Sequence, residues 1–344
     1  MELDESGEFG LIARIRKRVP DLPAQVFRGI GDDAAVSSLS PGMDLVSTVD
    51  LLIEEVHFDL CWTSPRLLGR KSLSVNVSDL AAMGATPRFA LTALALPAKR
   101  TGEFLDEFYG GLLEKAAAYQ VVLIGGDTSA SPERLFIAVT LLGEGKRKAL
   151  IYRTGARPGD DLYVTGTLGD ARLGLLRRQR GEELDSAEGR FLWERHADPI
   201  PRLEQGRLLA ARGLARAMID LSDGLYADLG HICRESGVGA VVWAELLPLS
   251  PALRALAASP EDSRLLALQG GEDYELLFAA PAARAGEIEE LGRQWPCGLT
   301  RIGRVEPPSF GLVVRSEGEI LDPALFPGYN HFSGRRARPA VRRS

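Results

Sequence analysis

The chain has 344 residues, 45% of them hydrophobic and 26% charged, with a formal net charge of −6. That length suffices for two substantial cores, and the acidic balance argues against a general nucleic-acid surface. The apolar runs are too short or interrupted to cross a bilayer. Glu2, Asp4, Glu5 and Glu8 occupy the place where a secretory signal carries basic and then apolar residues, and Cys61, Cys233 and Cys297 form no paired motif. The expectation is a cytoplasmic protein with no membrane or nucleic-acid partner, zinc site or disulfide framework.

The first distinctive element is an acidic glycine turn, Gly29-Ile30-Gly31-Asp32-Asp33. It superficially fits a dinucleotide fingerprint, but two carboxylates would then face a pyrophosphate without cationic relief. A divalent ion between carboxylate and phosphate turns that repulsion into attraction. A strand predicted over 44–49 delivers Asp50 at its end, with Thr48 on the same side by the two-residue period. His57 follows on a loop near those oxygens. Apolar spacing predicts a helix over 65–83, with Asp79 off the stripe and in the last turn before Gly84, where the helix dipole disfavours negative charge. A bound cation accounts for that placement; so does solvent exposure. A second helix is predicted over 102–119. A buried strand over 121–124 then runs into a turn, Gly125-Gly126-Asp127-Thr128, a common ligand position in α/β sheets. The last strand of this half is predicted over 135–142.

The stretch 143–161 is polar and rich in turn formers, and the boundary between two domains is placed there, giving 1–148 and 149–330. The second half restarts with a strand over 162–165 and a helix over 170–179. A strand over 215–219 leads into Asp220-Leu221-Ser222-Asp223-Gly224, where Leu225, Leu229 and Ile232 begin a helical stripe. Ser222 can cap that helix, or its amides can face a phosphate. After Gly270-Gly271-Glu272-Asp273 come a strand over 275–279, an acidic helix over 282–294 and short β segments. Residues 331–344 form a basic, solvated tail. The class is α/β in the first half and α+β in the second. No P-loop, protein-kinase signature, HExxH or GxSxG elbow is present, so phosphate chemistry here has to rely on metals.

The ordered set GIGDDAAV, VDLLIEEVHF, NVSDLAAMGA, LIGGDTS, TGTLGDA, IDLSDGLYADLGHI, GGEDYELLF and GYNHF spans nearly the whole chain. It resembles the bacterial thiamine-monophosphate kinase family. The resemblance implies the two-domain fold of aminoimidazole ribonucleotide synthetase, with N-terminal sheets pairing in a homodimer. It also implies the conversion of ATP and thiamine monophosphate to ADP and thiamine diphosphate by direct in-line transfer. Asp32, Thr48, Val49, Asp50, Asp79, Asp127, Asp220 and Asp223 then correspond to magnesium ligands, Val49 through its carbonyl alone because many relatives carry a hydroxyl residue there. Tyr109, Gly126, Asp127, Arg153 and Ser222 correspond to ATP contacts. His57, Glu272 and Tyr329 correspond to contacts with thiamine monophosphate, and Glu54-Glu55 makes the segment before His57 more acidic than in relatives. Selenophosphate synthetase and the hydrogenase-maturation dehydratase share the architecture, but the expected reactive cysteines have no counterpart near Met1 or at Ser344. A non-catalytic, metal-dependent nucleotide sensor is the alternative from another class.

Overall fold

The computed structural model describes residues 14–19, 21–30 and 34–326. Strands β1 (Val26–Arg28) and β2 (Val36–Ser37) make a small antiparallel ribbon. Strands β3 (Asp44–Ile53), β4 (Thr86–Leu96), β5 (Val122–Ala130) and β6 (Phe136–Gly145) form a four-stranded sheet. Its order is β3-β6-β4-β5, with β4 and β5 parallel and the other pairs antiparallel. Val46 and Leu52 of β3 are buried, while Leu45, Val49 and Leu51 are exposed. The period of two therefore gives this strand one core face and one apolar outer face.

Two helices cover the core face, α1 (Pro65–Ala82) and α2 (Glu103–Ala118). The Ser64 hydroxyl accepts the Leu67 amide at 3.3 Å and Pro65 occupies the first turn, so α1 starts where its capping chemistry dictates. Past that turn α1 is enclosed on nearly every side: Lys71, Ser72, Ser74, Asn76 and Ser78 are as buried as Leu68, Leu73 and Val77. Its crossing with α2 needs glycine. A Cβ on Gly69 would lie 1.9 Å from the Phe108 carbonyl oxygen, and one on Gly111 would lie 1.9 Å from that of Arg66.

The second sheet has seven strands: β7 (Asp160–Thr165), β8 (Ala217–Asp220), β9 (Gly239–Trp243), β10 (Leu276–Pro281), β11 (Leu299–Glu306), β12 (Leu312–Ser316) and β13 (Glu319–Ile320). The order is β13-β12-β9-β11-β7-β10-β8, antiparallel except between β12 and β9. Around it lie α3 (Asp170–Gln179), α4 (Ala187–Ala197), α5 (Leu203–Ala211), α6 (Leu225–Ser236), α7 (Pro251–Leu256), α8 (Pro260–Gln269) and α9 (Ala285–Gln294). Helix α1 also docks here. A Cβ on Gly206 of α5 would stand 2.0 Å from the Ala81 carbonyl oxygen. Arg70 of α1 and Lys115 of α2 approach the two oxygens of Asp198, just past α4, at 2.7 and 2.8 Å.

Two elements differ from the sequence expectation. Strand β3 continues to Ile53, because β6 pairs with it along its whole length, so Asp50 sits within the strand and not at its end. Strand β5 runs straight through Gly125-Gly126-Asp127-Thr128, paired residue for residue with Leu91 to Leu94 of β4, so this segment is no turn. A Cβ on Gly126 would fall 2.1 Å from the Thr92 carbonyl oxygen, so glycine serves close strand packing there. The close crossing predicts that Gly69→Ala and Gly111→Ala each destabilise the fold by about 1–3 kcal/mol. Urea unfolding midpoints equal to that of the parent chain would contradict this packing.

Candidate active site

The acids at the junction of the two sheets arrive from three elements. β3 supplies Thr48 and Asp50, the last turn of α1 supplies Ser78 and Asp79, and the end of β8 supplies Asp220. The Thr48 hydroxyl donates to Asp79 Oδ2 at 2.5 Å, and the Ser78 hydroxyl donates to Asp220 Oδ2 at 2.7 Å. Adjacent residues of one helix thus tie a carboxylate of each half to a hydroxyl of another element.

Burial, followed by the neighbouring Asp79 charge, pushes the Asp50 carboxyl up to about 7. Burial also raises Asp79, against the Thr48 hydrogen bond and the Arg153 charge. Asp220 rises well above the ordinary carboxylate range through burial, Asp79, Asp228 and Asp50. Solvent exposure therefore does not account for Asp79. Among the described residues no three His, Cys, Asp or Glu side chains stand close enough to hold an ion by themselves. The acids form a spaced row of hard oxygen donors whose mutual repulsion a divalent cation relieves, which is the chemistry magnesium fits.

Asp127 does not join this row within the chain. The register sets Asp50, Val139, Thr92 and Gly126 side by side across the sheet, and sets Leu51, Ala138, Ala93 and Asp127 in the next row. Asp127 therefore faces away from α1, three strand spacings or about 14 Å from β3. Tyr109 of α2 is buried beneath β5, its hydroxyl 3.1 Å from Thr92 Oγ1 and hydrogen-bonded to Thr128. Val49 is 61% exposed on the outer face. His57 lies in the turn after β3, its Nδ1 accepting the Ile53 amide at 3.0 Å. Glu54 accepts from Arg100 and from the Leu135 amide, and Glu55 pairs with Arg134, so both extra acids are committed to the fold. Asp32 and Tyr329 lie outside the described residues.

The Asp220–Gly224 loop corrects one sequence option. The amides of Ser222, Asp223 and Gly224 all donate to Asp228 Oδ2, each at 3.1 Å, so they are not available to a phosphate. The residue at the cap of α6 is Gly224, not Ser222. Burial and the Asp223 charge push Asp228 up to about 7, against those three amides.

In the second glycine-acid segment the two acids have different tasks. Asp273 accepts the Gly169 amide at 2.7 Å at the start of α3, and burial pushes its carboxyl up to about 8. Glu272 adopts φ 69°, its side chain 26% exposed. Lys71 Nζ stands 2.8 Å from one of its oxygens and His196 Nδ1 2.9 Å from the other. Burial raises this carboxyl, but the charges and hydrogen bonds of Lys71 and His196 together outweigh it and hold Glu272 well below its ordinary value. Sequence reasoning missed Lys71, His196 and Asp228. A lysine flanked at helical spacing by Leu68 and Val75 was the available signal for the first.

Residues 31–144 match the family described as AIR synthase related protein, N-terminal domain, and residues 157–315 match its C-terminal domain. The chain is 40% identical over 330 residues to thiamine-monophosphate kinase of Escherichia coli K12, covering 95% of this chain and 98% of that one. The chain belongs to the thiamine-monophosphate kinase family. A crystal structure of the enzyme from Stenotrophomonas maltophilia K279a superposes with a TM-score of 0.82 at 41% identity, over 92% of this chain and 98% of that one. A structure described as AaThiL complexed with AMPPCP and TMP gives a TM-score of 0.74 at 36% identity, over 96% and 99%.

Because the folded state holds Glu272 below its ordinary 4.5, the stability it contributes is complete above that pH and declines as the pH falls below it. Glu272→Gln leaves Lys71 without its counter-charge and is expected to cost about 3 kcal/mol at pH 7. The gap between parent and variant in urea midpoint should persist down to pH 5 and narrow in stronger acid. A gap that widens on acidification would refute the ion pair.

Proposed function

We propose that this chain transfers the γ-phosphoryl group of ATP to thiamine monophosphate, giving ADP and thiamine diphosphate. What carries this reading is the row Asp50, Asp79 and Asp220 at the junction of the sheets, in a chain that matches AaThiL, a protein solved with AMPPCP and TMP, nearly end to end. An acceptor phosphate oxygen forms the new bond to the γ-phosphorus while the bond to the β–γ bridging oxygen breaks, its electron pair leaving with ADP. A phosphate monoester has a second pKa of about 6 and is largely dianionic near neutrality, so the acceptor needs no strong base. Asp32, Thr48, Val49, Asp50, Asp79, Asp127, Asp220 and Asp223 are the proposed magnesium ligands, directly or through water. When bound, magnesium would neutralise the two polyanions and align their oxygens. Gly126, Asp127, Arg153 and Ser222 are assigned to ATP, with Tyr109 supporting β5 from beneath. His57, Glu272 and Tyr329 are assigned to thiamine monophosphate. The cytoplasm is the proposed compartment, and no described helix is long and apolar enough to cross a membrane.

A homodimer completes the proposal. Leu45, Val49 and Leu51 expose 53%, 61% and 51% of their surface along one face of β3. Both β3 and β5 are edges of the four-stranded sheet. Pairing with a second copy would cover this apolar face and these edges, and would offer Asp127 to the partner's acidic row.

The decisive assay is formation of thiamine diphosphate from ATP and thiamine monophosphate, abolished by a chelator and restored by Mg²⁺. Nucleotide binding without turnover would overturn the kinase reading in favour of a sensor. Asp50→Asn and Asp127→Asn are each expected to lower kcat about 100-fold with the fold intact. Mixed dimers of the two variants should regain turnover, because one of their two sites then holds both native acids. Mixtures as inactive as the separate variants would place Asp50 and Asp127 in the same chain's site. Val49→Glu should shift sedimentation toward monomer; an unchanged dimer would move the interface elsewhere.

A further inference from the structure

The loop that carries Asp220, Ser222 and Asp223 has its backbone fixed from two sides. On the carbonyl side, Leu221 accepts from the Tyr274 amide and Ser222 accepts from the Glu272 amide, each at 2.9 Å. Gly271 is so close that a Cβ there would meet the Ser222 carbonyl oxygen at 2.3 Å. On the amide side, Leu221 donates to the Glu275 carbonyl at 2.8 Å, and the next three amides converge on the single oxygen Asp228 Oδ2. Gly224 stands at φ +114°, with no room for a Cβ against the Gln269 carbonyl. Three consecutive amides aimed at one point form an anion-binding concavity. In this chain an internal carboxylate, 2% exposed, fills it.

We propose that Asp228 is a positioning residue for phosphoryl transfer, an internal anion that occupies a phosphate-shaped nest. With three of the loop's amides engaged there and the Leu221 and Ser222 carbonyls held by the 271–275 segment, those amides and carbonyls are closed to a ligand. The nucleotide then engages Ser222 and Asp223 through their side chains, not their amides. What the loop needs from Asp228, which is buried and turned to the three amides, is a hydrogen-bond acceptor at a fixed point. The inference rests on the assignment of the Asp220–Gly224 loop to the transfer site.

Asp228→Ala vacates the nest and should lower kcat about 10- to 100-fold by loosening the loop. It should also raise the Mg²⁺ concentration needed for half-maximal rate. Millimolar formate, a carboxylate small enough to enter the nest, should restore part of that rate. Asp228→Asn retains an acceptor oxygen and should stay within about threefold of the parent chain. Asp220→Asn is the control: it should be impaired and indifferent to formate. A folded Asp228→Ala variant with parent kcat, or one whose loss formate does not relieve, overturns the proposal. Should Asp228→Ala fail to fold, Asp228→Asn decides: near-parent turnover supports the proposal, and a tenfold loss overturns it. Parent-like turnover in both Asp220→Asn and Asp223→Asn would instead remove the loop from the site, a separate failure.

Discussion

The hydrogen bond from Ser78 to Asp220 joins a helix of the first sheet to a strand of the second, and the active-site arrangement depends on that seam. The same helix α1 carries Lys71 to Glu272 and Asp79 to Thr48. A helix enclosed by two sheets cannot leave polar side chains without partners at low cost, since each lost buried partner costs about 1–3 kcal/mol. Lys71 and Ser78, which would be unfavourable in an ordinary core helix, have their partners Glu272 and Asp220 in the opposite half of the molecule, while Ser72 and Asn76 donate to carbonyls of α1 itself. The Ser78–Asp220 and Thr48–Asp79 bonds fix Asp220 and Asp79 to the same turn of α1 and to β3.

The carboxylates of the chain divide by what already satisfies them. Glu54 has Arg100, Glu144 has Arg88 and Ser40, and Glu275 has Arg195, Arg202 and Thr165. Asp228 has three amides and Asp273 has those of α3. Asp79 and Asp220 each accept from one hydroxyl, and burial raises Asp50, Asp79 and Asp220 alike, reinforced at Asp50 and Asp220 by neighbouring acids. Acidity alone does not mark the site. An acid whose fold partners leave its charge uncompensated does.

Much of this was legible from residue order. The helix at 170–179 matches its expected bounds, because the preceding glycine turn is a local signal. Asp50 and Asp79 were singled out from strand and helix phase. The face of Asp127 was not legible: Gly125-Gly126 reads as a turn until β4 is present to pair with it. Nor could the sequence tell that Asp228 and not a phosphate takes the loop amides, since both satisfy the same donors. Lys71 and His196 are 125 positions apart, and only the tertiary fold brings both to Glu272.

The glycine contacts of α1 limit how the molecule can move. Gly69 and Gly111 leave no clearance between α1 and α2, and Gly206 leaves none between α5 and α1, while Asp198 is gripped by Arg70 and Lys115. Backbones at such separations transmit displacement and do not absorb it, so the two halves have little freedom to hinge about α1. The placement of Asp79 and Ser78 against Asp220 is consequently set when the chain folds.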